Sequence, residues 1–126
     1  MNIALWVLQV LLAAAFLAHG WLLLAPPAEL LDQMNTVMST GFRQFLGVAE
    51  VVAAVGLTLP GFTRILPWFV PAAAAGVMFV MISATILHLR RGEISSAAVT
   101  LVLLVLATFL AYMRWKVMPI RTRRTA

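Results

Sequence analysis

The sequence predicts an all-α membrane protein, four transmembrane helices in an up-down-up-down bundle, and three observations predict it. Hydrophobic residues make up 63% of the 126 and charged residues 10%, against roughly 45–50% and about 25% in soluble domains. So little charge cannot cover a surface that faces water. Four apolar stretches each approach the roughly 20 residues needed to cross a hydrocarbon layer about 30 Å thick. Short connectors, most of them marked by proline or glycine, separate the stretches and make neighbouring helices antiparallel.

The first span runs over about 3–24 and stops at Pro26-Pro27, where missing N–H groups and ring clashes end a helix. The opening run is read as a span and not as a cleavable signal, because no Lys or Arg precedes it and it exceeds the roughly 7–15 residues of a signal's apolar region. In the polar connector that follows, Leu31, Met34 and Met38 recur at helical spacing beside Glu29, Asp32, Gln33 and Asn35. Either a short helix lying on the membrane surface or a plain loop satisfies that pattern.

The second span covers about 42–59 and is expected to end at the breaker pair Pro60-Gly61. The third covers about 68–89, with Pro71 in its first turns, where proline is tolerated, and closes at Arg90-Arg91-Gly92. The fourth covers about 94–112, with Tyr112 and Trp115 suited to the headgroup belt, and residues 113–126 form a basic tail of one single-domain chain.

Cysteine is absent, which excludes disulfides, thiolate-held iron–sulfur clusters and thiol chemistry by this chain. The net charge of +5 comes largely from Arg114, Lys116, Arg121, Arg123 and Arg124, read as a topology signal facing anionic headgroups and not as a nucleic-acid site. With four crossings, these residues and Arg64 share one side, while Arg43, Arg90 and Arg91 share the other. That imbalance predicts both termini in the cytoplasm of a bacterial-type plasma (inner) membrane.

An ionisable group inside a span costs about 2.5–3.5 kcal/mol on insertion scales, so each one present needs a reason. Glu50 stands roughly 12 Å below the outer surface by helical rise. His19, in the first span, leans inward from near the outer end of that span and is expected at similar depth. His88 leans in from the end of the third span, on the stripe of Met81, Ala84 and Thr85. Arg43 shares a face with Glu50, but its long stem is expected to carry the guanidinium out to the headgroups. The four describe a polar pocket opening outward with Glu50 at its floor.

Three readings of Glu50 stand open: a carboxyl that exchanges protons with a histidine neighbour, a hydrogen bond that fixes helix packing, or part of an interface with another subunit. Haem ligation by His19 and His88 is disfavoured because their depths differ by several Å, and no metal site is expected. Gln9 is read as a helix-to-helix hydrogen bond. Gly47, Ala49, Ala53, Ala54 and Gly56, with 72–76 on the third span, allow close backbone approach. The methionines and Phe42, Phe45, Phe62 and Phe79 are read as packing or lipid-facing residues.

Three stretches together resemble the DoxX-like family of small four-helix membrane proteins: Phe16-Leu17-Ala18-His19-Gly20; Arg43 through Gly47 and Glu50 to Gly56-Leu57 and Pro60; and Met81, Ala84, His88 and Arg91. The resemblance covers about 3–112. It implies the fold and an association with quinol-oxidase or thiosulfate-quinone chemistry or with oxidative-stress complexes, hence a quinone as cofactor and a redox partner subunit. Small multidrug-resistance transporters also have four spans and an embedded glutamate, but in the first span, where this chain carries Gln9 and His19.

No self-contained catalytic motif is present, so whether the chain is an enzyme stays open, and any redox activity would need a quinone or a cofactor-bearing partner. A proton-coupled transporter of small amphiphiles, for which self-association as a dimer is expected, and a structural or assembly subunit are the alternatives. The bilayer is the expected partner throughout.

Overall fold

The computed structural model describes residues 1–124. Its helices are α1 (Asn2–Leu24), α2 (Ala28–Val37), α3 (Thr40–Thr63), α4 (Phe69–Arg90) and α5 (Ile94–Tyr112), the last continuing into one π turn over Met113–Val117. Four of them are long and apolar enough to cross a membrane, matching the four predicted stretches.

Local chemistry sets the boundaries. The α1 helix closes just before Pro26-Pro27, and the Pro27 carbonyl then accepts from the amides of Leu30 and Leu31 to start α2. The connector is therefore a helix and not a loop, although none of its residues is buried. The Ser39 side chain accepts from the Phe42 amide at 3.3 Å and caps α3. Pro71 sits in the first turn of α4, and Gly92 makes the α4–α5 turn at φ +71°, a left-handed conformation that side chains disfavour.

One boundary differs from the sequence reading. The α3 helix runs through Pro60 to Thr63 and ends at Arg64, which is left-handed at φ 57°. A proline in the last turn forfeits one hydrogen bond near a terminus that frays anyway, so the breaker acts four residues late. Leu66 is also left-handed at φ 48°, and the two residues together turn the chain into α4.

The α1 helix packs on α3, α4 on α5, and α3 on α4 joins the two pairs. Along the first pair Trp6 meets Phe62, Gln9 meets Leu57 and Gly20 meets Gly47. Leu5, Leu12, Phe16, Leu57, Val77, Met81 and Leu110 fill the core. Phe45, Phe62, Phe79, Val102 and Val105 stand outward, an apolar exterior far larger than water-soluble monomers show and one that suits contact with lipid. At one end of the bundle Arg114 bonds Asn2, and the Arg123 amide donates to the Arg64 carbonyl.

Candidate functional site

Two glycines create the site. A Cβ placed on Gly20 would stand 2.9 Å from the Gly47 carbonyl oxygen and 3.1 Å from Glu50 Cβ, so only glycine lets α1 and α3 approach this closely. At that separation His19 Nδ1–H donates to Glu50 Oε2 at 2.6 Å. The carboxylate is almost sealed, at 5% side-chain exposure, while the imidazole is 58% exposed. The pair therefore presents one ring edge outward and keeps its counter-charge behind.

That edge lines a groove of about 1440 Å³ between the helix pairs. Ala15 and Phe16 of α1, Met34 of α2, Phe45 of α3, Phe79 and Met81 of α4, and Val99 and Leu103 of α5 supply its apolar walls. Among the described residues Glu50 is the only carboxylate lining it. His88 lines the same groove, as do Met81 and Ala84 from its stripe, so the two histidines and Glu50 share one cavity.

His88 does not join the buried pair. Its Nδ1–H donates to Glu93 Oε2 at 2.5 Å, and Arg91 lies 3.2 Å from the other carboxylate oxygen. The bond from His88, with the Arg91 charge, holds the Glu93 carboxyl below its ordinary range against a smaller opposing effect of burial. Sequence spacing gave no sign of this clasp, which depends on the Gly92 turn bringing Glu93 back under His88.

Arg43 departs from expectation. Its side chain does not reach out to the headgroups: it is 4% exposed, lies outside the groove lining, and donates from a terminal nitrogen to the Leu23 carbonyl. The last four carbonyls of a helix lack intrahelical partners and carry the negative end of its dipole, so the end of α1 attracts this cation inward. Arg43 ties α1 to α3 and does not form a wall of the pocket.

Arg114 also departs from expectation. Expected in the tail among headgroup-facing charges, it is 3% exposed and turned into the bundle. Its Nε donates to Gln9 Oε1 at 3.0 Å and a terminal nitrogen to Asn2 Oδ1 at 2.8 Å, while its guanidinium lies 5.2 Å from the centre of the Trp6 ring. Gln9 in turn donates to the Leu57 carbonyl, so Gln9 is the helix-to-helix bond expected of it. Arg114 lies in the π turn and is buried there, and π turns leave no sequence mark; the bond expected of Gln9 did not point to Arg114 as a second partner.

With this geometry in hand, the match to known proteins is specific: a family model described as the DoxX-like family covers residues 7–110. The chain belongs to the DoxX-like family. No curated protein and no solved structure matches it. Within this DoxX-like protein the matched segment holds His19, Glu50 and His88 together with the groove they line, and ends before Arg114.

Proposed function

We propose that this DoxX-like protein holds an isoprenoid quinone or a similar amphiphile in the groove, and that His19, backed by Glu50, exchanges protons with its head group as part of membrane redox chemistry. One observation carries the reading: a single carboxylate, sealed behind a histidine whose ring is more than half exposed, in the wall of an otherwise largely apolar groove. At about 1440 Å³ the groove exceeds the roughly 300–1,000 Å³ of sites for drug-sized ligands, which suits a head group carrying a chain.

The residues fit such a ligand. With Nδ1–H committed to Glu50, the neutral His19 ring offers Nε2 as an acceptor for a quinol hydroxyl proton; once protonated, the same nitrogen donates to a quinone carbonyl oxygen. Glu50 holds the tautomer and stabilises the imidazolium, the part a buried carboxylate plays beside a catalytic histidine. The bound quinone would supply the electron chemistry, with its electrons passing to a cofactor-bearing partner, since no residue here carries them.

The contacts of α1 with α3, and of Thr85 with Thr100 at 2.8 Å between α4 and α5, support the up-down-up-down arrangement. The meeting of the chain ends beside Arg64 supports placing that end, with Arg121, Arg123 and Arg124, in the cytoplasm of a bacterial-type inner membrane. The groove then opens toward the outer leaflet.

Purification in native lipid with mass spectrometry of extracted small molecules tests the proposal. Quinone should accompany the wild type and be depleted in His19→Ala and Glu50→Gln. Its absence from the wild type, or equal retention in both variants, overturns it.

A further inference from the structure

The mouth of the groove carries a second polar station that the His19–Glu50 chemistry does not use. Arg90 and Arg91 line it, as do Ser95 and Ser96 in the first turn of α5. Apart from the bond between Arg91 and Glu93, these four side chains make no hydrogen bond among the described residues, and Glu93 is itself engaged by His88. The station is thus an array of donors whose one nearby carboxylate is already committed.

Such an array is complementary to an anion with several acceptor oxygens, and guanidinium groups match the geometry of phosphate. Below the mouth the groove continues as apolar wall, with Phe79, Val80, Val99 and Leu103 along it. Val99 and Leu103 also border a second, wholly apolar depression of about 270 Å³ on the outer face of α5, shared with Ala98 and Val102. Cationic donors near the α4–α5 turn and the apolar residues Val99 and Leu103 line the same groove and make one composite surface.

We propose that this surface binds a membrane phospholipid, its phosphate on Arg90 and Arg91 with Ser95 and Ser96, and one acyl chain lying between α4 and α5 along Val99 and Leu103. A soluble anion would leave the apolar track unused. A neutral amphiphile would leave the arginines without an acceptor. The bilayer itself delivers the occupant, because the exposed faces around the groove are apolar helix surfaces. The phosphate station is made of other side chains than His19 and Glu50, while the acyl chain shares the Val99 and Leu103 wall of the same groove; phospholipid and quinone differ in mass, so retention of each is read separately and the two readings fail separately.

The test uses the full chain in nanodiscs of equal phosphatidylglycerol and phosphatidylcholine, released intact into native mass spectrometry. The wild type is expected to retain one phospholipid. Arg90→Gln, at a side chain exposed and without a bonded partner, should fold normally by circular dichroism and hold that lipid about tenfold more weakly, the loss of one charge-assisted contact. Arg90→Lys should recover part of it. Val99→Trp, which fills the chain track and leaves the mouth intact, should also expel the lipid. Equal retention by wild type, Arg90→Gln and Val99→Trp overturns the proposal. So does release of the lipid by millimolar inorganic phosphate, which would make the mouth an anion site without a chain site.

Discussion

Gly20 and Gly47 meet backbone to backbone, each standing where a Cβ on the other would lie within 3.0 Å of a carbonyl oxygen. Neighbouring side chains could move aside for an added methyl, but a helix backbone cannot without separating α1 from α3. The His19–Glu50 hydrogen bond is thus made possible by two residues that carry no chemistry of their own.

Gly20→Ala should therefore destabilise the bundle by about 1–3 kcal/mol, the usual cost of overpacking, and weaken ligand binding at His19. Gly41→Ala and Gly76→Ala are the controls, since a Cβ at either position meets nothing within 4 Å. In those helices alanine should be neutral or stabilising by up to about 1 kcal/mol. Thermal unfolding in mild detergent, compared across the three variants, checks the difference.

The buried Arg114 is held by neutral acceptors and an aromatic face, with no carboxylate partner among the described residues. Gln9→Leu should cost about 1–3 kcal/mol, because it strips the Nε of Arg114 of its acceptor while leaving the cation in place. The double variant Gln9→Leu, Arg114→Leu should recover much of that loss, since replacing both partners of a buried polar contact by apolar groups is often nearly neutral. A double-mutant cycle on unfolding free energies reads the coupling; additive losses would mean that the two side chains act separately.

At the groove mouth the Glu93 carboxyl is held below its ordinary range by its bond to His88 and then by Arg91. A depressed carboxyl pKa in the folded state contributes stability that is present above the unfolded pKa and disappears as pH falls through the folded one. The melting temperature should accordingly drop on acidification from pH 6 through the region below about 4.3, the reference glutamate value. Glu93→Gln should be less stable than wild type at pH 6 and lose less on acidification. Identical pH profiles for the two would show that the clasp contributes nothing.

The fold was legible because the membrane imposes it. Four stretches near the length of a bilayer crossing, with proline or glycine between them, leave few arrangements; the helix end at Pro60, the state of residues 28–37 and the π turn that carries the fourth span to Val117 needed coordinates. The site was legible in part. Glu50 stood out because a carboxylate so deep needs a partner, and helical rise with side-chain tilt pointed to His19.

Both buried arginines were misplaced for one reason. Snorkelling is the default when water is the nearest good solvent, but Arg43 finds the open carbonyl end of α1 and Arg114 finds Gln9 and Asn2. Those acceptors become visible only when helix ends and the π turn are placed in space. His88 lines the groove, yet its bond to Glu93 depends on a turn whose conformation the spacing of residues does not encode.

The central claim is that His19, backed by Glu50, is the group that meets the ligand. Nitrogen NMR of the protein with labelled histidine, reconstituted with a short-chain quinol, tests it most directly. The His19 imidazole resonances should move on addition of the quinol, in a manner that depends on pH, and should cease to respond in Glu50→Gln while those of His88 stay as in the wild type. Resonances of His19 that ignore the quinol in folded wild-type protein would contradict the claim.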